Sequence, residues 1–282
     1  MSIRIIPRLD VKGLNLVKGI HLEGLRILGP VEKFAQYYYE NGADELIYID
    51  AVSSLYGRNS LVEVIRKTSS KIFIPLCVGG GLRTLDDIAN VLRAGADKVA
   101  INSAAIKRPN LVREASTLFG SSTIVISIDA VKRHDDKYEC FIDNGREPTG
   151  KDVFEWAVEA TQLGAGELLI TSVDREGSGK GYDLDLIKTI ADTVEIPVIA
   201  CGGGGEYQHV VDALSKGHAD AISIASLIHY DAVENIEIEN LKEVVFGLSA
   251  ENRNTGARIK HIDLTELKKK LIADKFDVKH FL

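Results

Sequence analysis

The stretch GADELIYID (residues 42–50) returns as GAGELLITS at residues 164–172, 122 positions later. At the same offset IPLCVGGG (74–81) returns as IPVIACGGGG (196–205), and at about that offset GADKVAIN (95–102) comes back as GHADAISIA (217–225). Three matches at one spacing mark an internal duplication. Each copy holds a short Ile-, Leu- and Val-rich run, the composition of a strand buried on both faces. Eight such runs lie along the chain, at 3–10, 45–50, 72–78, 98–101, 123–129, 167–171, 197–201 and 221–225. Helical spacings separate most of them, as at 31–41, 85–93, 152–162 and 184–192. Two similar halves of four strand–helix units predict an α/β chain closed into a (β/α)8 barrel, with an open doubly wound sheet as the alternative. The barrel is expected to span residues 1–250. The polar stretch 132–150 reads as a loop able to form a small hairpin, and 251–282 as a C-terminal extension. Within it, DLTELKKKL (263–271) has an N-cap Asp263 and an i, i+3, i+4 apolar pattern, so a helix beside the barrel is expected.

Of the 282 residues, 45% are hydrophobic and 27% charged, which excludes disorder of the whole chain. The net charge of −7 argues against nucleic-acid binding but leaves room for a local phosphate pocket. No apolar run is long enough to span a membrane, and MSIRIIPRLDVKG carries charges too early for a secretory signal. Cys77, Cys140 and Cys201 are far apart and lack metal-ligand spacing. A cytoplasmic protein without disulfide, metal or cofactor is the expectation. No Walker, Rossmann or G-x-S-x-G motif occurs, and the glycines at 202–205 are not a dinucleotide fingerprint.

Barrel enzymes carry their sites at the C-terminal ends of the strands. The clusters VGGGLRT (78–84) and CGGGGE (201–206) each fall between a strand and a helix. There glycine lets backbone approach a phosphate, and free N–H groups at the helix start favour an anion. Gly80, Gly81, Gly203 and Gly204 are the candidates, with Asn102–Ser103 and Ser226 as partners in the two halves; tight turns alone are the structural alternative. Duplication then implies two phosphate sites across the mouth and an elongated substrate phosphorylated at both ends. Asp10 and Asp129 close the first strands of the two halves and should face each other between those sites. Two such carboxyls can serve as general acid and base; turn capping or pairing with a loop cation is the alternative. Lys18 is expected to hold a loop over the substrate or to pair with Asp10. Arg4, Glu45, Lys98 and Glu167 begin strands one, two, four and six, so they ring the opposite mouth as a structural plug or a gate for something small. His21 and His229 follow strand ends, where packing is a better expectation than substrate contact.

RIIPRLDVKG, LVKGI, GADELIYID, VGGGLRT, GADKVAINSAA, VISIDA, GREPTG, TSVDREGSGKGYD and IPVIACGGGG together resemble the family of cyclase subunits of imidazole glycerol phosphate synthase, from about residue 4 to residue 230. The sister isomerases of the pathway share the half-barrel plan but match GREPTG and TSVDREGSGKGYD less well. The resemblance implies a TIM barrel working in histidine biosynthesis with a glutaminase subunit as heterodimeric partner. It implies that ammonia converts a bisphosphorylated formimino carboxamide ribotide into imidazole glycerol phosphate and aminoimidazole carboxamide ribotide. Asp10 and Asp129 match the family's acid/base pair. Gly81, Asn102 and Ser103 match one phosphate site, and Gly177, Gly203 and Ser226 the other. Lys18, Asp50, Thr171 and Asp174 match further site positions, and Arg4, Glu45, Lys98 and Glu167 an ammonia gate.

Several positions depart from the family. Arg8 stands where the family usually has Cys, Cys77 for Thr, Cys201 for Ser, and Glu176 and Ser178 for Asp and Thr. Ala51–Val52 replace Ile-Thr, an Asp before Pro30 is missing, and the tail after about residue 252 is longer. Two rival readings therefore accompany the first: a paralogue that delivers ammonia to a glycan (amidino-sugar) precursor, and a non-catalytic barrel that binds a glutaminase.

Overall fold

The computed structural model describes residues 2–51, 61–236 and 259–279. Eight parallel strands close on themselves: β1 (Arg4–Lys12), β4 (Leu46–Asp50), β5 (Leu76–Gly79), β6 (Lys98–Ile101), β7 (Ile124–Lys132), β10 (Glu167–Ser172), β11 (Val198–Cys201) and β12 (Ala221–Ile224). The ladder runs β1 to β4, β5, β6 and β7, then β10, β11, β12 and back to β1, where Arg4 pairs with Ala221. Between them lie the helices α1 (Val31–Glu40), α2 (Leu61–Ser69), α3 (Leu85–Arg93), α4 (Ser103–Lys107), α5 (Asn110–Phe119), α6 (Val153–Gln162), α7 (Leu184–Ala191), α8 (Tyr207–Ser215) and α9 (Ser226–Asn235). This is a (β/α)8 barrel, and the open sheet is excluded by the β7–β10 pairing.

Local sequence explains most element bounds. Pro75 and Pro197 cannot donate to a ladder, so β5 and β11 start one residue after them rather than at 72 and 197. Thr84 caps α3 in a reciprocal box with Asp87, and Asp152 and Asp183 cap α6 and α7. Both β1 and β7 run nine residues and turn into antiparallel hairpins. β2 (Asn15–Ile20) and β3 (Glu23–Pro30) follow β1; β8 (Tyr138–Ile142) and β9 (Glu147–Asp152) follow β7. The second hairpin lies in the polar stretch that reads as hairpin-capable. The first has no counterpart among the sequence expectations.

The core has two shells. The larger, between strands and helices, holds Phe34, Tyr38, Tyr48 and Trp156, all fully buried. The smaller fills the barrel's interior with Ile6, Ile47, Cys77, Ala100, Val125, Leu169, Ile199, Cys201 and Ala221. Alternation along a strand sends every second side chain inward. On β1 that set is Arg4, Ile6, Arg8 and Asp10: one charge at the lower mouth, one apolar plug, and two charges at the upper mouth.

The chain's last described stretch docks on the lower rim. Helix α10 (Leu264–Ala273) is capped by Asp263, whose side chain accepts from Glu266 N–H at 3.0 Å. Lys268 Nζ donates to Gly42 O and Asp44 Oδ1, each at 2.8 Å, and Val278 bridges to Ile3. The expected boundary at 250/251 lies outside the described residues. Among the described residues no helix is long and apolar enough to cross a membrane. The three cysteines are free and buried.

Candidate active site

The duplication is visible in backbone geometry at the upper mouth. Gly80 (φ 96°) and its counterpart Gly202 (φ 88°) both occupy conformations that L side chains avoid. A Cβ on either would come within 2.7 Å of the carbonyl oxygen of Asp50 or Ser172, themselves 122 residues apart. The residues before α4 and α9 match as well: Asn102 has φ −116°, ψ −91° and Ala225 φ −130°, ψ −87°. Each half therefore presents a glycine turn beside a helix start.

The two halves then diverge. A pocket opens over the first, lined by Asp50, Gly80, Gly81, Asn102 and Ser103, and it reaches Arg8 and Asp129 at the barrel's centre. The tip of the β8–β9 hairpin arches over it. Asp143 N–H donates to Ser103 Oγ at 3.1 Å, and Asp143 and Asn144 both line the cavity. In the second half the loops pack against one another. A Cβ on Gly177 would lie 2.9 Å from Gly19 O, one on Gly203 2.1 Å from Gly181 O, and one on Gly204 2.8 Å from the Tyr182 hydroxyl. Ser226 is buried, and His21 of the β2–β3 turn hydrogen-bonds Glu176 O and Val173 O. Thus Gly80, Gly81, Asn102, Ser103, Asp50 and Asp129 share one cavity, while Gly177, Gly203, Gly204 and Ser226 lie in the other half, outside the lining of that cavity.

At the centre, Arg8 decides the electrostatics. Its Nε donates to Asp10 Oδ1 at 2.9 Å, and its Nη1 lies 3.2 Å from Thr171 Oγ1 and 3.4 Å from Cys201 Sγ. Burial opposes the guanidinium charge, but Asp10, Cys201, Glu176 and Asp129 outweigh it and hold the group firmly protonated. Lys18, offered by sequence to Asp10, instead donates to Glu176 Oε1 at 2.7 Å and to Gly19 O. Burial works against its charge too, yet Glu176 and then Asp10 push its pKa up. Asp129 is different. Burial raises its carboxyl to about 6, against the opposing pull of Arg8 and a hydrogen bond from Asn102 Nδ2 to Oδ2 at 2.9 Å, with Asp10 adding to the rise. A carboxyl at that value exchanges protons near neutral pH. Asp174 turns away from this centre: it is exposed and its Oδ2 accepts from Lys132 N–H at 2.8 Å. His229 is a packing residue, fully buried between the Tyr38 hydroxyl at 2.6 Å and Arg8 O at 3.0 Å, and burial lowers its pKa to about 3.

Sequence reading passes over the pocket residues Arg83, Lys107, Ser127, Asp143 and Asn144. The last two carry a signal: Asp143-Asn144-Gly145 is a turn sequence, and all three residues have φ near +60°. Arg8 stands out in the sequence only as a departure pointing to the barrel or mouth.

At the lower mouth the four charges form a closed ring. Arg4 Nη1 reaches Glu45 Oε2 at 2.7 Å and Glu167 Oε2 at 3.1 Å; Lys98 Nζ reaches the same two carboxylates at 2.9 and 2.8 Å. Arg4 Nη2 and Glu45 Oε1 are buried without a hydrogen-bond partner among the described residues. The same residues hold no group of His, Cys, Asp and Glu fit for a metal ion.

A family model described as histidine biosynthesis protein matches residues 4–234. Among curated relatives, the imidazole glycerol phosphate synthase subunit HisF of Legionella pneumophila is 52% identical over 207 residues, covering 73% of this chain and 98% of that protein.

Proposed function

The chain belongs to the histidine biosynthesis protein family, and from that premise we propose that it acts as the ammonia-using cyclase subunit of imidazole glycerol phosphate synthase in the cytoplasm, without a metal or cofactor. The substrate of this reading is the bisphosphorylated formimino carboxamide ribotide, and the products are imidazole glycerol phosphate and aminoimidazole carboxamide ribotide. The observation that carries it is a buried carboxyl, Asp129, with its pKa at about 6 in a cavity shared with the Gly80–Gly81 cradle. One phosphate would sit against that cradle, Asn102 and Ser103. The other would sit among Gly177, Gly203, Gly204 and Ser226, with Lys18, Asp50 and Thr171 around the substrate and Asp174 at the outer edge of the mouth. Asp10 and Asp129 would move the protons that ammonia addition, imine loss and ring closure require. They are not equivalent: Asp10 is the counter-ion of Arg8, whereas the hydrogen bond to Asp129 comes from the neutral Asn102 amide.

Ammonia would come from a glutaminase docked below the ring of Arg4, Glu45, Lys98 and Glu167. Arg4 Nη2 and Glu45 Oε1, without partners among the described residues, offer a small polar molecule one donor and one acceptor at that ring. Above it, the apolar interior around Ile6, Ile47, Leu169 and Ile199 would pass neutral ammonia and reject ammonium, since a bare cation among such side chains is strongly penalised. Arg8 favours a second reading, a paralogous synthase acting on a glycan precursor, because a buried cation at the reacting centre changes which substrate fits.

Turnover of the formimino ribotide by the purified chain with ammonium chloride at mildly alkaline pH tests the first reading. Formation of aminoimidazole carboxamide ribotide is expected, and a folded chain that makes none shifts the substrate to the second reading. The ring has its own test in the complex with a glutaminase. Lys98→Met removes both of its carboxylate contacts and is expected to slow glutamine-dependent turnover about tenfold or more while leaving ammonia-dependent turnover near wild type, charge-assisted hydrogen bonds being of that order. Equal loss in both assays would make the ring a plug.

A further inference from the structure

Arg8 is 4% exposed and lies at the level of Asp10 and Asp129. Its Nε and Nη1 are committed to Asp10, Thr171 and Cys201. The hydrogen bonds it donates to the described residues leave Nη2 unused, and the side chain forms part of the wall of the pocket that holds Asp129. A guanidinium presents its donors in a rigid planar fork. With Nε and Nη1 fixed by three partners, Nη2 is pre-aimed and costs no reordering when an acceptor arrives. It also lies above the apolar interior of the barrel, where a molecule travelling up the axis would emerge.

We propose that Arg8 is a catalytic residue whose Nη2 binds the carbonyl oxygen of the carbon that ammonia attacks, so that the substrate of this chain carries a ketone or aldehyde oxygen at the barrel's centre. This rests on the ammonia-using reading above. In the step it serves, the nitrogen lone pair forms a C–N bond and the C=O π pair moves to oxygen, which becomes an alkoxide held by Nη2. The surplus proton on nitrogen passes to the Asp129 carboxylate. Asp129 then hands that proton to the alkoxide, giving a neutral carbinolamine and restoring the carboxylate. Atoms and charge balance without any further reactant. A fixed donor aimed at a developing oxyanion acts where water is excluded and its effect is greatest. Asp10 completes the unit by holding the guanidinium plane in place.

The test pairs a rate with a binding measurement. Arg8→Lys keeps a cation for Asp10 but removes the second arm of the fork. It is expected to lower kcat for ammonia-dependent turnover of the formimino ribotide about a hundredfold, with little change in KM. Arg8→Gln serves as the second variant should the lysine form fail to fold. Separately, wild type is expected to bind 3-phosphoglycerate, which carries a phosphate and a carboxylate, more tightly than inorganic phosphate by calorimetry. Arg8→Lys is expected to lose that preference and retain its affinity for phosphate. A folded variant with wild-type kcat, or a wild type that does not prefer 3-phosphoglycerate, overturns the proposal. Should wild type turn over no formimino ribotide, the substrate reading fails on its own and the calorimetric preference alone judges Arg8.

Discussion

Asp129→Asn is expected to abolish ammonia-dependent turnover, by about a thousandfold, and at the same time to stabilise the fold at neutral pH. The first effect follows from losing a buried carboxyl whose value, about 6, suits proton exchange near neutrality; such groups contribute roughly 10²- to 10⁴-fold. The second follows from linkage. The unfolded chain releases this proton near the ordinary value of 3.8, whereas the folded chain holds it up to about 6. Below both values the group is protonated in each state and contributes nothing. Between them the unfolded state ionises first, so stability falls as pH rises, and above about 6 the whole penalty is present. Asparagine has no such penalty, so its advantage should grow across that window and then level off at about 3 kcal/mol. Steady-state assays and urea unfolding at pH 4 and pH 7 read both. An Asp129→Asn enzyme with near-wild-type turnover removes the acid/base assignment, and one less stable at pH 7 than at pH 4 relative to wild type contradicts the burial argument. The wild-type rate should rise through pH 6 as Asp129 ionises to act as base.

Lys268→Ala is expected to destabilise the chain by about 3–5 kcal/mol in urea, the range for removing one partner of a buried ion pair. Lys268 and Asp44 are both almost fully buried, 2.8 Å apart, and Asp44 Oδ2 also accepts from Ile5 N–H at 2.8 Å. The substitution strands Asp44 as an uncompensated anion at the base of β1, and Gly42 O loses a donor as well. Adding Asp44→Ala should recover part of the loss, because the stranded charge goes with it. A single variant within about 1 kcal/mol of wild type, the usual range of exposed pairs, would mean that α10 does not depend on this anchor.

The barrel strands are legible in the sequence because burial on both faces leaves continuous Ile, Leu and Val runs, and a duplication at 122 residues counts the units twice. The β2–β3 hairpin is not. Its turn is His21-Leu22, with φ of 51° and 62°, a left-handed pair usually signalled by Asn or Gly and here carried by two residues that rarely adopt it. The strand ends expected at 10 and 129 fall two or three residues short, because β1 and β7 continue past the barrel to pair with their hairpins.

The two half-barrels, the level of Asp10 and Asp129 towards the upper mouth, the glycine turns and the four charges at the lower ends of strands are all written in the local sequence. These follow from local periodicity and from which end of a strand a residue occupies. Which side chains meet is set by the fold: Arg8 with Asp10, Thr171 and Cys201, Lys18 with Glu176, and the first cradle in one cavity with Asp129. Those contacts join residues up to 193 positions apart. They depend on the stagger between strands that closes the barrel, which sets the level of each inward side chain and leaves no trace in local spacing.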